Sequence, residues 1–181
     1  MPTMPQHPFS ALLKNIPVSE QKGPRDPAVS HIAFDSRNCV GGSLFVALPG
    51  FHVDGHDYIN DAIRRGAVAV ICTTLPEKLE PGVAYAVVPN SQHALSRAAS
   101  SFYGEPSRRL PVVGVTGTDG KSTTVYLISQ LLEVAGEECG FLSTVARKVD
   151  IGIEKNPYRQ STPEAPQIHE ALYEMAEHGK R

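Results

Sequence analysis

Apolar residues along this chain recur at two spacings, and the alternation between them predicts most of its elements. Phe9, Leu12, Leu13 and Ile16 fall at i, i+3, i+4 and i+7, one face of a short amphipathic helix. A polar, proline-rich loop follows as far as Pro27. Ile32 and Phe34 read as a strand ending in the polar turn Asp35-Ser36-Arg37. Gly41-Gly42 leads into a second strand, Ser43 to Leu48, broken by Pro49-Gly50. Ile59, Ala62 and Ile63 make a helical face with Gly66 as its stop, and Ala67 to Cys72 is a continuous apolar strand. After a loop holding Pro76 and Pro81, Val83 to Val88 is another strand. Ser91 is the expected N-cap of a helix that buries Ala94, Leu95, Ala98 and Phe102 and ends at Gly104.

The pattern pauses at Glu105-Pro106-Ser107-Arg108-Arg109, which has the composition of a linker. Beyond it, Leu110, Val112, Val113 and Val115 predict a short buried strand. A glycine-rich turn, Gly117-Thr118-Asp119-Gly120, then opens into a helix with Val125, Ile128, Leu131, Leu132 and Ala135 on its buried side and Gly136 as its end. Cys139 to Val145 is expected as a second strand, Val149 to Ile153 as a local pairing, and Ala165 to His178 as a helix facing inward with Ile168, Leu172, Met175 and Ala176. Alternating strands and helices indicate an α/β fold. The expected domains are 1–108 and 109–181. A nucleotide domain of this kind needs several parallel strands and an acidic residue at a strand end for magnesium. Residues 109–181 offer only two or three strands. The second domain is therefore expected to be incomplete, and the chain to be the N-terminal part of a longer enzyme.

Composition narrows the class. A formal charge of -2 over 181 residues leaves no basic excess for nucleic acid, and no apolar run approaches a membrane span. The opening Met-Pro-Thr-Met-Pro-Gln-His-Pro has neither the basic nor the apolar region of an export signal. Cys39, Cys72 and Cys139 are far apart and lack C-x-x-C spacing, so they read as reduced, mostly buried thiols of a cytoplasmic protein. His52 and His56 lie close together, but as loop histidines without a third ligand they read as structural or substrate-contacting groups rather than zinc ligands.

The chemistry concentrates in Val112 to Thr124. Strand, glycine-rich turn, Gly-Lys-Ser and helix is the order that wraps a nucleotide triphosphate. Glycines let backbone N–H groups crowd onto phosphate oxygens, and the helix N-terminus adds partial positive charge. Lys121 can reach the β- and γ-phosphates, and the Ser122 hydroxyl can be a magnesium ligand. The full G-x-x-x-x-G-K-[ST] pattern would need glycine where Val115 stands, so the loop is the shorter T-G-T-x-G-K-S-T form. The competing reading is a turn that only joins strand to helix.

Several ordered stretches together carry a family resemblance. Asp35-Ser36-Arg37, Gly42 to Gly50, Asp54-Gly55-His56-Asp57-Tyr58-Ile59 and Ala62 to Val70 resemble the N-terminal domain of the Mur ligases, nearest the MurE type. Thr116 to Thr124 looks like that family's nucleotide loop, and Gln160-Ser161-Thr162-Pro163-Glu164 like its substrate-contacting Thr-Thr-Pro-Glu segment. The resemblance runs from about Ile32 to the end of the chain. It implies a small α/β UDP-binding domain followed by the start of a P-loop, Rossmann-like ATPase domain.

By position, Phe34 and Ser36 would contact uridine, and Phe51, His52 and Val53 would lie along the diphosphate. Gly117, Thr118, Asp119, Gly120, Lys121, Ser122 and Thr123 would hold ATP, with Ser122 on Mg2+, and Gln160, Ser161 and Thr162 would meet the muramoyl-peptide. The implied reaction adds a diamino acid, diaminopimelate or lysine, to UDP-N-acetylmuramoyl-L-alanyl-D-glutamate through an acyl phosphate, in a cytoplasmic, monomeric enzyme. Asp119 departs from the pattern, standing where the family usually has asparagine; Ser122 and Ser161 replace threonine and keep the hydroxyl. The modified lysine, the metal-binding glutamate and histidine and the amino-acid-binding domain of such ligases would all lie past Arg181, so these residues alone are expected to be inert. The alternatives are the ligase that adds D-Ala-D-Ala and a UDP-sugar-binding module without chemistry. Arg37 reads equally as a ligand contact or as the partner of Asp35, and Ser161 or Thr162 as a substrate contact or a helix cap.

Overall fold

The computed structural model describes residues 6–50, 53–158 and 163–180. They divide into two compact units, Met1–Phe102 and Tyr103–Arg181. In chain order the first unit contains β1 (His7–Pro8), α1 (Phe9–Leu12), β2 (Glu20–Lys22), β3 (Ala28–Val29), β4 (His31–Ala33), β5 (Ser43–Val46), α2 (Ile59–Arg64), β6 (Ala67–Cys72), β7 (Ala84–Val87) and α3 (Ser91–Phe102). Its main sheet has the order β2-β7-β6-β5-β4, with β4 to β7 parallel and β2 antiparallel at the edge.

Parallel strands covered on both faces are apolar along nearly their whole length: β6 is, and so is β5 from Leu44 to Val46, with Ser43 buried at its start. Phe45 and Ala47 pack with Ile59 and Ala62 of α2 in one cluster that also holds Val70 and Cys72. Leu44 and Val46 alternate with them and are fully buried on the other face, where α3 packs on β5 and β6 and α1 packs on α3. Helix α1 is only four residues long, yet Leu13 and Ile16 beyond it are buried as the spacing predicts. Strand β2 falls inside the predicted loop. Glu20-Gln21-Lys22 carries no apolar residue and is exposed throughout, so its backbone ladder with β7 leaves no trace in the hydrophobic pattern. The α3 cap also differs from expectation. Asn90 accepts the His93 N–H at 2.8 Å, and Ser91, one residue later, is buried inside the first turn.

The second unit contains α4 (Lys121–Val134), the antiparallel strands β8 (Phe141–Leu142), β9 (Ala146–Lys148) and β10 (Glu154–Lys155), and α5 (Ala165–Glu177). Leu110, Val149, Ala171 and Met175 form its small core. A 3-10 turn at Pro106–Arg108 packs on α5, Arg109 pairs with Glu177 at 2.9 Å, and the Tyr103 and Tyr173 rings lie 6.0 Å apart. The linker-like stretch is thus built into this unit, and the division lies a few residues before the expected 108/109 boundary.

Three expectations are corrected here. Residues 111–116 are not a strand, and Val112 and Val113 are exposed. A lone segment has no ladder to complete, and among the described residues no strand pairs with this one. Helix α4 forms where predicted, with Gly136 at positive φ beyond it, but Ser129 is its one buried residue and Leu131 is 70% exposed. Its apolar side lines an open groove of about 390 Å³ with Val112, Val115, Phe141 and Met175. The expected strand from Cys139 to Val145 is reduced to β8, because its partner β9 turns back at Ser143, whose Oγ donates to the Ala146 carbonyl at 2.8 Å and accepts the Ala146 N–H at 3.1 Å.

Candidate functional site

Two candidate sites emerge, one in each unit. In the first, β4, β5 and β6 run parallel, so the segments following them open at the same sheet edge, the usual place for a ligand in such a sheet. Phe34 is half-buried just beyond β4. Asp35 caps a 3-10 turn by accepting the Arg37 N–H at 3.0 Å, and the Arg37 guanidinium returns to the same carboxylate at 2.6 to 3.1 Å. That fork is the ion-pair reading of Arg37, and it holds the Asp35 carboxyl below its ordinary range. Ser36 is buried, and its hydroxyl hydrogen-bonds to Asp61 of α2. Asp61 also pairs with Arg65 at 3.1 Å and Arg64 at 3.4 Å, and these partners, Ser36 first, lower its pKa.

Next along the same edge, Asp54 caps a second 3-10 turn, and its Oδ1 takes both the His56 N–H at 2.9 Å and the His56 ring Nδ1 at 2.6 Å. The other ring nitrogen, Nε2, accepts the Thr73 N–H at 2.9 Å just past β6. Val53 stands exposed beside this turn. Phe51 and His52 lie outside the described residues. Cys39 and Cys72, beneath the site, are buried, and burial pushes both thiols up to about 11. Asp61 and Thr73 did not emerge from sequence reasoning. The i+4 spacing of Asp61 and Arg65 on a predicted helix was a usable signal; nothing in sequence pointed to Thr73.

In the second unit the phosphate loop closes on its own lysine. Lys121 Nζ donates to the carbonyls of Gly117 at 2.6 Å and Thr118 at 2.9 Å, so the loop is already curled around a cation. Gly117 (φ 149°) and Gly120 (φ 77°) occupy backbone regions that favour glycine. At Gly120 an added Cβ would meet nothing within 4 Å, so conformation rather than space requires glycine there. Gly120 is the N-cap of α4 and offers no side chain to its first turn. The first-turn N–H groups, which a helix cannot satisfy itself, therefore lie at the loop end of α4, in the same turn as half-buried Ser122 and exposed Thr123. Such donors suit an anion. One hydroxyl suits Mg2+, which keeps several waters and takes its remaining ligands from phosphate. Gln160, Ser161 and Thr162 lie outside the described residues. The cap of α5 is not Ser161 or Thr162 but Glu164, in a reciprocal capping box with Gln167.

Family matches fall in both units. Residues 28–103 match the family described as Mur ligase family, catalytic domain, and residues 115–181 match Mur ligase middle domain. The chain is 44% identical over 168 residues to the UDP-N-acetylmuramyl-tripeptide synthetase of Roseiflexus sp. (strain RS-1), covering 93% of this chain and 33% of that protein. It is 42% identical over 151 residues to the UDP-N-acetylmuramoyl-L-alanyl-D-glutamate--2,6-diaminopimelate ligase of Parabacteroides distasonis, covering 83% and 31%. The solved structure of a UDP-N-acetylmuramoyl-L-alanyl-D-glutamate--2,6-diaminopimelate ligase shares its fold, with a TM-score of 0.68 at 24% identity over 97% of this chain and 34% of that one. The chain spans about a third of the length of the curated relatives it matches.

Proposed function

The chain belongs to the Mur ligase family, and from that premise we propose that it is the substrate-binding and nucleotide-loop portion of an ATP-dependent amide ligase of the MurE type. The full enzyme adds a diamino acid, diaminopimelate or lysine, to UDP-N-acetylmuramoyl-L-alanyl-D-glutamate in the cytoplasm. The observation that carries this reading is the Lys121-centred loop at the head of α4, downstream of a sheet edge where Phe34, Ser36 and Val53 follow neighbouring parallel strands.

In this reading residues 1–108 hold the UDP end of the substrate. Phe34 offers a ring face to the uracil, and the backbone around Ser36, held rigid by Asp61, supplies its polar contacts. Phe51, His52 and Val53 run along the diphosphate, and Gln160, Ser161 and Thr162 meet the muramoyl-peptide. Residues 109–181 begin the ATPase domain. The backbone from Gly117 to Gly120 and the first turn of α4 would hold the phosphates of ATP together with Lys121 and the Thr123 hydroxyl, and Ser122 would be the protein's ligand to Mg2+. Bound ATP would supply the phosphoryl group that makes a carboxylate reactive toward an amine. The chain's own part is to hold two anions together under a lysine and fixed backbone dipoles.

The exposed apolar residues Val112 and Val113 and the open side of α4 support an unfinished second domain. The 181-residue chain should therefore bind without turning over. Calorimetric titration of UDP-N-acetylmuramoyl-L-alanyl-D-glutamate and of ATP, separately, tests this. The UDP ligand should bind to both wild type and Lys121→Met, whereas the variant should lose ATP affinity at least tenfold. Failure of both ligands to bind wild type would refute the assignment.

A further inference from the structure

We infer that His56 is a positioning residue for the UDP-ligand site, a neutral imidazole that clamps the β5–α2 connection to the end of β6. The inference rests on the reading above, and each residue of Asp54-Gly55-His56 has a separate physical role in it. The Thr73 N–H can only donate, so His56 Nε2, which receives it at 2.9 Å, is unprotonated. The proton must then sit on Nδ1, where Asp54 Oδ1 lies at 2.6 Å to receive it. The Thr73 hydroxyl stands 3.0 Å from the same Nε2 and shares its lone pair as a second donor. The ring is thus fixed in one tautomer and one orientation, with its side chain only 16% exposed.

Gly55 closes the other side of the clamp. Its N–H donates to the Leu48 carbonyl at 2.9 Å, and a Cβ there would come within 2.7 Å of Leu48 N and 2.8 Å of Leu48 O. Near the start of the connection, Gly50 lies so close to Val53 that a Cβ would meet the Val53 carbonyl at 2.4 Å. Gly50 and Gly55 therefore each leave no room for a side chain just after β5, and the His56 ring ties its own turn sideways to Thr73, past the next parallel strand. What the clamp holds in place is the Asp54-Gly55-His56 turn and, next to it, Val53, part of the wall proposed to face the diphosphate. A hydrogen-bonded ring that fixes a loop reduces the ordering cost of binding, and that saving appears as ligand affinity.

Two isosteres separate positioning from simple stability. In His56→Asn the amide takes the place of Nδ1 and keeps the Asp54 bond, leaving Thr73 without an acceptor. In His56→Gln the carbonyl takes the place of Nε2 and keeps the Thr73 bond. The expected result is a UDP-N-acetylmuramoyl-L-alanyl-D-glutamate Kd about tenfold weaker in His56→Asn and within about threefold of wild type in His56→Gln, as for the loss of one partly buried hydrogen bond. Equal affinity in wild type and His56→Asn overturns the inference. So does an ¹⁵N–¹H correlation spectrum of the wild-type ring showing the proton on Nε2, a measurement that needs neither ligand nor variant. If wild type binds no UDP ligand while the ring carries its proton on Nδ1, the clamp stands as a fact of the fold and the ligand reading fails.

Discussion

Asp119 puts a negative charge on a loop read as a triphosphate cradle, and replacing it with asparagine should strengthen nucleotide binding in a salt-dependent way. Asp119 is exposed, and its φ is not among the positive values of the described residues, so the exchange leaves the backbone unchanged. Exposure means a water-like dielectric. At ~6 Å, a loop residue's distance from the nearest phosphates, two unit charges then interact by about 0.7 kcal/mol. Against a magnesium-bound triphosphate of net charge about -2 the repulsion is about 1.4 kcal/mol before screening. Screening at 0.15 M salt, with a Debye length of about 8 Å, roughly halves it. Asp119→Asn should therefore tighten ATP binding about sevenfold at 0.01 M salt, about threefold at 0.15 M, and hardly at all at 1 M. Calorimetric titration of ATP with magnesium at the three ionic strengths reads this out. Unchanged affinity at 0.01 M would mean that the carboxylate points away from the phosphates. A gain that survives 1 M salt would mean that the effect is a change in loop structure, and either result refutes the argument.

Gly66 has φ 108°, and a Cβ there would meet Gly41 Cα at 2.8 Å and Gly41 N at 2.9 Å, whereas Gly82 (φ 91°) has open space around it. Gly82→Ala should cost about 1 kcal/mol for conformation alone. Gly66→Ala should cost a further 1–3 kcal/mol or so for overpacking against backbone, measured by native-state hydrogen exchange of β5 and β6. Cys39 and Cys72, with thiols pushed up to about 11, should react with a disulfide reagent at pH 8 roughly a hundredfold more slowly than a free thiol; rapid labelling in folded Cys139→Ser protein would contradict their burial. Asp35 is held below its ordinary range by Arg37, so its contribution to stability is present above about pH 4 and lost as pH falls through the lower folded value. Asp35→Asn should flatten the acid limb of the stability curve, by less than about 1 kcal/mol because Arg37 is 79% exposed. In a protein of the relatives' full length, the amides of residues 112–115 should exchange far more slowly than in this chain, through pairing with added strands; equal exchange would deny the unfinished-domain reading.

The first unit was legible in sequence because its strands bury both faces and its helices bury one, so burial and spacing agree. Leu44 to Ala47, Ala67 to Cys72 and the inner side of α3 stand where apolar pattern alone placed them. What escaped detection is held by backbone rather than side chains: β2 by its ladder with β7, and the α3 cap by one Asn90 oxygen. The second unit misled for the opposite reason. Val112, Val113 and Leu131 carry a buried-strand and buried-helix pattern written for neighbours that the described residues do not supply, so composition reports a burial that the fold here does not complete. At the sites, glycines and Lys121 were readable because their roles follow from conformation and charge at fixed spacing. Thr73 was not, because it contributes a backbone N–H, which every residue but proline possesses.

The polar edge strand β2 has a consequence for how the chain behaves at high concentration. An open sheet edge is a template on which another molecule can add a strand, and charged side chains on short edge strands are the usual guard against such addition. Glu20-Gln21-Lys22, exposed at each position and carrying its own Lys22–Glu20 pair at 2.9 Å, closes one edge of the first unit in that way. Val112 to Val115 has no comparable guard: it carries no charge, Val112 and Val113 are exposed, and among the described residues no strand pairs with it. Aggregation of the isolated chain should therefore start in the second unit and leave the first as the soluble remainder.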